Sequence, residues 1–159
     1  MSKNGLTISL NEVLFYFTRA GFGVNASIGV SEDFARSNIW IAQNGFDPSE
    51  CSLLALDNLD SQTSSLSIQF EKTGDGSHLF CPEDKVLSAI EASVSCVDWL
   101  EFNGLDGDLK LTNVDSPLLV VSALGANQCT GIQVSWTDKS NNHYEVNLKN
   151  DIEWEIISS

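Results

Sequence analysis

Ile132-Gln133-Val134-Ser135-Trp136-Thr137 puts an apolar side chain at every second position, and the same rhythm returns twice downstream. After the turn-forming run Asp138-Lys139-Ser140-Asn141-Asn142, Tyr144, Val146 and Leu148 alternate with His143, Glu145 and Asn147. After Asn150-Asp151, Ile152, Trp154 and Ile156 alternate with Glu153 and Glu155. A period of two is that of a half-buried strand. Three such strands joined by short polar turns predict an antiparallel meander with one apolar face, which needs helices to cover it.

Upstream, the period changes to that of helices. Ser9-Leu10-Asn11-Glu12 reads as a capping box, and Leu10, Val13, Leu14, Phe17 and Ala20 follow as a core stripe ended by Gly21 and Gly23. A second helix is predicted from Val30 or Ser31 to Asn44, closed by Gly45. Asp47-Pro48-Ser49-Glu50 opens a third, with Asp47 as N-cap, running to about Asn58. Leu66, Ile68 and Phe70 alternate as a half-buried strand, with a return strand from His78 to Cys81. Pro82-Glu83-Asp84 is expected to start a central helix ending between Ser93 and Leu100. Leu109 and Leu111 suggest a short strand. Ser116-Pro117 can cap a helix over Leu118 to Leu124, where Val120 and Val121 leave a strand open. The expectation is one α+β domain over 1–159. A helical segment at about 9–58 and central helices cover one face of an antiparallel sheet within a mixed segment at about 64–159.

The N-terminal motifs also carry a resemblance. Ser9-Leu10-Asn11-Glu12, Ala20-Gly21, Ile28-Gly29-Val30-Ser31-Glu32-Asp33 and Trp40, with Gly45 after them, are similar to a family of uncharacterised bacterial proteins. That family opens with an SLNE segment, a small-residue helix end and a Gly-x-Ala-Glu-Glu helix start. Pro117-Leu118-Leu119 and the strand from Ile132 resemble its later Pro-Leu-Leu helix and β segment. Ser31 stands where the family has Ala, and Ile41 where it has Leu. The resemblance implies a bacterial, cytoplasmic protein of this fold and no chemistry.

With 159 residues, a compact fold would leave ~7,800 Å² accessible and bury a sizeable core. Eight Lys and Arg against 22 Asp and Glu give a formal charge of −14. Such a field repels phosphate backbones and anionic lipid, which disfavours nucleic-acid and membrane-surface partners. The presumed second helix offers only Arg36 against Glu32 and Asp33, too little for a recognition helix. No apolar h-region follows Met1, and the runs Val13 to Phe17 and Leu118 to Val121 are far short of a bilayer span. A cytoplasmic location is expected. Cys51, Cys81, Cys96 and Cys129 form no CxxC pair and lie at no zinc spacing from His78 or His143, so reduced, mostly buried thiols are expected, with no metal and no cofactor.

Few residues point to chemistry. Cys81 precedes the expected central helix, where an N-terminal dipole lowers a thiol pKa, and His78 three residues earlier is the candidate base; Glu83 and Asp84 oppose a thiolate. Cys51 makes a weaker case beside Glu50. Arg36 has Glu32 four residues before it and is satisfied. Arg19 has no acid nearby in sequence. It is expected either to stack on Phe15 and pair with the second helix, or to hold a carboxylate ligand. Phe15, Arg19 and Phe22 form a second stripe on the first helix, expected to be either buried by the rest of the fold or used as a subunit contact. Asp106-Gly107-Asp108 lacks the later glutamate of a calcium loop and reads as a turn. Asp98 and Glu101 beside Trp99 read as paired carboxylates or a solvated face. The sequence therefore favours a non-catalytic accessory, interaction or small-ligand-binding protein, a homo-oligomer or one with a protein partner through its first helix. The alternative is a small cytosolic enzyme acting on a small metabolite through Cys81 and His78.

Overall fold

The computed structural model describes residues 8–74, 76–104, 107–148 and the backbone of 152–158. The Ser9 hydroxyl accepts from the Glu12 amide and the Glu12 carboxylate accepts from the Ser9 amide, closing the capping box that starts α1 (Leu10–Gly23). The Ser27 hydroxyl accepts from the Val30 amide and starts α2 (Ile28–Gln43), two residues before the expected onset. Helix α3 (Ser49–Asp60) begins one residue after Pro48, and the Asp47 carboxylate accepts from the Ser49 amide at 2.9 Å.

The middle of the chain departs most from expectation. Leu66 and Ile68 precede a strand, β2 (Gln69–Thr73), that is exposed along its whole length. It pairs antiparallel with β3 (Gly76–Phe80). No helix begins at Pro82: Glu83 and Asp84 take φ of 65° and 56°, left-handed backbone that a helix cannot contain. The chain instead makes a turn and a two-residue strand, β4 (Val86–Leu87), parallel to β1 (Ser64–Ser65). Helix α4 (Ala89–Asn103) follows, longer at its end than expected. Its N-cap Ser88 makes no side-chain cap. The Asp115 carboxylate accepts from the Ala89 amide at 2.9 Å and from the Asn58 side-chain amide at 3.1 Å, tying three segments together. Strand β5 (Asp108–Leu111) lies parallel to β3, and α5 (Pro117–Ala126) settles the 117–124 region as helix. Strands β6 (Ile132–Thr137), β7 (Asn142–Leu148) and β8 (Ile152–Ser158) pair antiparallel in chain order. At the β6–β7 turn, the Asp138 carboxylate accepts from the Asn142 backbone and side chain and from the Tyr144 hydroxyl.

The fold is α+β, with three separate small sheets among the described residues in place of one antiparallel sheet, two of them containing a parallel pair. A parallel pair needs a long connection between its strands, so local sequence carries no sign of it. The core is one cluster centred on α5, where Leu119, Val120, Val121, Ala123 and Leu124 are buried, joined by Phe34 and Ile41 of α2, Ile90 and Cys96 of α4, and Val146 and Leu148 of β7. Two close approaches lock the helices. A Cβ on Gly125 would run into the Trp40 ring, and one on Gly21 would lie 2.6 Å from the Ser31 hydroxyl.

Candidate interaction surface

Helix α1 packs on α2 through one side only. Val13 is buried there, and Phe17 meets the Phe34 ring edge-on at 5.6 Å. Leu10, placed in the core stripe by its spacing, is instead 47% exposed at the first residue of the helix. The opposite face carries Phe15 at 55% exposure, Tyr16 at 58% and Phe22 at 45%. The second stripe is thus open among the described residues. Tyr16 belongs to it as well: its ring meets Phe15 edge-on at 5.7 Å. Its position four residues after Glu12 and three before Arg19 is the sequence signal that places Tyr16 there.

Arg19 lies with its guanidinium carbon 5.4 Å from the Phe15 ring centre, the stacking expected of it. The pairing to α2 expected with that stack is absent among the described residues. The acids in the first turns of α2 are taken by Arg36, with Asp33 at 3.0 Å and Glu32 at 3.7 Å. Glu12, Phe15, Tyr16, Arg19 and Phe22 recur at three- and four-residue steps, so they share one face of a helix about 21 Å long. That face holds one acid and one base, and is electrically neutral on a chain of charge −14.

The structure does not bring His78 and Cys81 together. Three residues apart on extended backbone, they point to opposite faces. The His78 Nε2 pairs with the Thr112 hydroxyl, and its ring lies against Phe80 at 4.9 Å. Cys81 sits at the end of β3 without a helix dipole behind it. It is buried, and burial pushes its thiol pKa up. Cys51 is half-buried and shifts the same way for the same reason. All four cysteines are free thiols. Asp98 and Glu101 share a small cavity of ≈ 130 Å³ with Asp33, Ser37 and Asn127. Among the described residues, no three His, Cys, Asp or Glu side chains are placed to hold a metal ion. Asp106 lies outside the described residues, so the turn expected around it is described only from Gly107 onward.

A larger cleft, ≈ 610 Å³, opens between α4, α5, β5 and β6. Its floor is apolar and helical: Cys96, Trp99 and Leu100 from one face of α4, and Pro117, Val120 and Leu124 from one face of α5. Sequence spacing could not find it, since its walls come from segments far apart in the chain.

No helix among the described residues is long and apolar enough to cross a membrane. No protein-family model matches the chain, and no curated protein sequence matches it significantly. Among solved structures, the fold is similar to that of malate dehydrogenase from Pyrococcus horikoshii OT3, with a TM-score of 0.62 at 9% sequence identity. The match covers 99% of this chain and 51% of the dehydrogenase chain, so this chain spans about half the length of the structure it resembles, and the likeness is one of fold.

Proposed function

We propose that this chain is a non-catalytic accessory protein of the cytoplasm that works by holding another polypeptide on the outer face of α1. A second copy of the chain is the occupant whose chemistry fits. The observation that carries the reading is the open Phe15, Tyr16 and Phe22 surface beside an Arg19 with no ion pair among the described residues. In this reading the β6–β8 meander, with helices over its apolar face, is the rigid body that carries α1. The resemblance to the SLNE-opening bacterial family agrees with such a role and adds no chemistry.

The spacing on α1 favours a symmetric partner. If two copies pack α1 antiparallel about a two-fold axis between Phe15 and Tyr16, Phe15 opposes Tyr16 of the partner copy. Glu12 and Arg19 are then opposed in both directions. A two-fold contact requires such self-complementarity. It also buries a face without net charge on an acidic chain, where like charges would otherwise oppose association.

Sedimentation equilibrium tests this. The native chain is expected to dimerise at high micromolar concentration, and Arg19→Glu and Glu12→Lys are each expected to be monomeric. Mixed one to one, these two variants restore attraction at both contacts and are expected to form a heterodimer. A native chain that stays monomeric, or a mixture that stays dissociated while both variants remain folded, would sink the second-copy reading.

A further inference from the structure

We infer that the 610 Å³ cleft between β5 and β6 is a docking site for a short, extended, basic segment of polypeptide that pairs as a strand with one or both of its walls. The lining residues identify what those walls are. Residues 107–111 and 131–136 line the cleft consecutively. A strand facing a cavity with its side chains would contribute alternate residues, because successive side chains point to opposite faces. Consecutive lining means that the backbone edges of β5 and β6 face the opening. Among the described residues both are edge strands: β5 pairs with β3 alone, the chain meeting β4 only beyond it at Val114, and β6 pairs with β7 alone.

Unpaired strand edges are templates for an added strand. Here two of them border one cavity, above a helical floor made of Trp99, Leu100, Pro117, Val120 and Leu124. Main-chain hydrogen bonds would hold the segment, and alternate apolar side chains would rest on that floor. Four residues of β5 and six of β6 set the length of the occupant at about four to six residues, on the order of 13 to 20 Å. Asp108 and Lys110 cancel at the wall, so the field of the whole chain, −14, selects a cationic segment. This site is separate from the α1 face and stands or falls independently of it.

The probe is the six-residue peptide acetyl-Lys-Val-Lys-Val-Lys-Val-amide, added to the full chain at physiological salt. Saturable change in tryptophan fluorescence is expected, since Trp99 and Trp136 line the cleft. Amide exchange within 108–111 or 132–136 should slow by tenfold or more at saturation. The same peptide N-methylated at every residue keeps its charge and loses the strand donors of both edges, and should bind at least tenfold more weakly. A counterpart with Glu in place of Lys should also bind at least tenfold more weakly. Absence of binding, protection confined to α1 or elsewhere, or equal binding of either control peptide would overturn the proposal.

Discussion

Burial sets the reactivity of the thiols one by one. Cys96 is buried on α4, and desolvation of the thiolate pushes its pKa up to about 12. Cys81 is raised by burial too, helped by Glu83 and opposed by a backbone hydrogen bond at Ser65 and by Lys85. Neither thiol is expected to react with a thiol-exchange reagent at neutral pH while the chain is folded, whereas all four should react once it is unfolded. Fast native labelling of Cys81 would return it to consideration as a nucleophile. Ser31 is the second residue with a clear consequence. Its hydroxyl is buried against Gly21 and has no hydrogen-bond partner. An orphaned buried hydroxyl costs about 1–3 kcal/mol, so Ser31→Ala is expected to raise stability by about 1 kcal/mol in denaturant unfolding. Gly21→Ala should lower it by about 1–3 kcal/mol, because the added methyl has nowhere to go. Phe15→Ser, by contrast, removes an exposed ring and should leave the unfolding of the monomeric chain within about 0.5 kcal/mol.

The elements divide by how local their causes are. The α1 capping box needs only Ser9 and Glu12, four residues of sequence, and the 132–137 alternation is met by half-buried Ile132, Val134 and Trp136 with exposed residues between them. Those features were readable. The start of α4 was not. Pro82-Glu83-Asp84 has the composition of a helix onset, yet Glu83 and Asp84 adopt left-handed backbone, and the amide of Ala89 finds its acceptor on Asp115, 26 residues away. The candidate chemistry was misplaced with it, since the dipole assigned to Cys81 belonged to a helix that starts eight positions later. Likewise the cleft rests on a β3–β5 parallel pairing that no local pattern announces. Asp115 therefore bears an element-scale prediction. Asp115→Ala leaves the Ala89 amide and the Asn58 side chain unpaired and should cost about 1–3 kcal/mol. Burial raises the Asp115 carboxyl above its ordinary value, and hydrogen bonds from Ala89 and Asn58 only partly offset this. A carboxyl raised on folding stabilises the native state while protonated, and that contribution is lost as pH rises through its folded value. Asp115→Asn should therefore lose part of the gain in stability seen on acidifying from pH 7.

For the molecule as a whole, charge sets how stability follows pH. Glu91, raised by burial, acts with Asp115, and neutralising part of the −14 charge relieves self-repulsion. Asp47 and Asp138 act in the opposite sense. Hydrogen bonds from Ser49 and from Asn142 hold them below the usual carboxylate range, so their contribution is present at neutral pH and fades as pH falls through those lowered values. Thermal melts are expected to show stability rising as pH falls from 7 through the raised values of Asp115 and Glu91, and falling again as Asp47 and Asp138 protonate. Added salt should raise the melting temperature at pH 7; a melting temperature flat in both salt and pH would contradict this account.

The position of α5 in the chain has a consequence for how the protein is made. It is the hub of the core, buried on nearly every side, yet it is encoded after four other helices. While a ribosome is still reading toward Pro117, Phe34 and Ile41 of α2 and Ile90 of α4 have been synthesised without the surface that shelters them. At ~5–20 residues per second the nascent chain lives in that state for several seconds. Its most vulnerable moment is thus before completion, and its yield in a cell should depend on chaperones that guard unfinished chains more than on the stability of the finished fold.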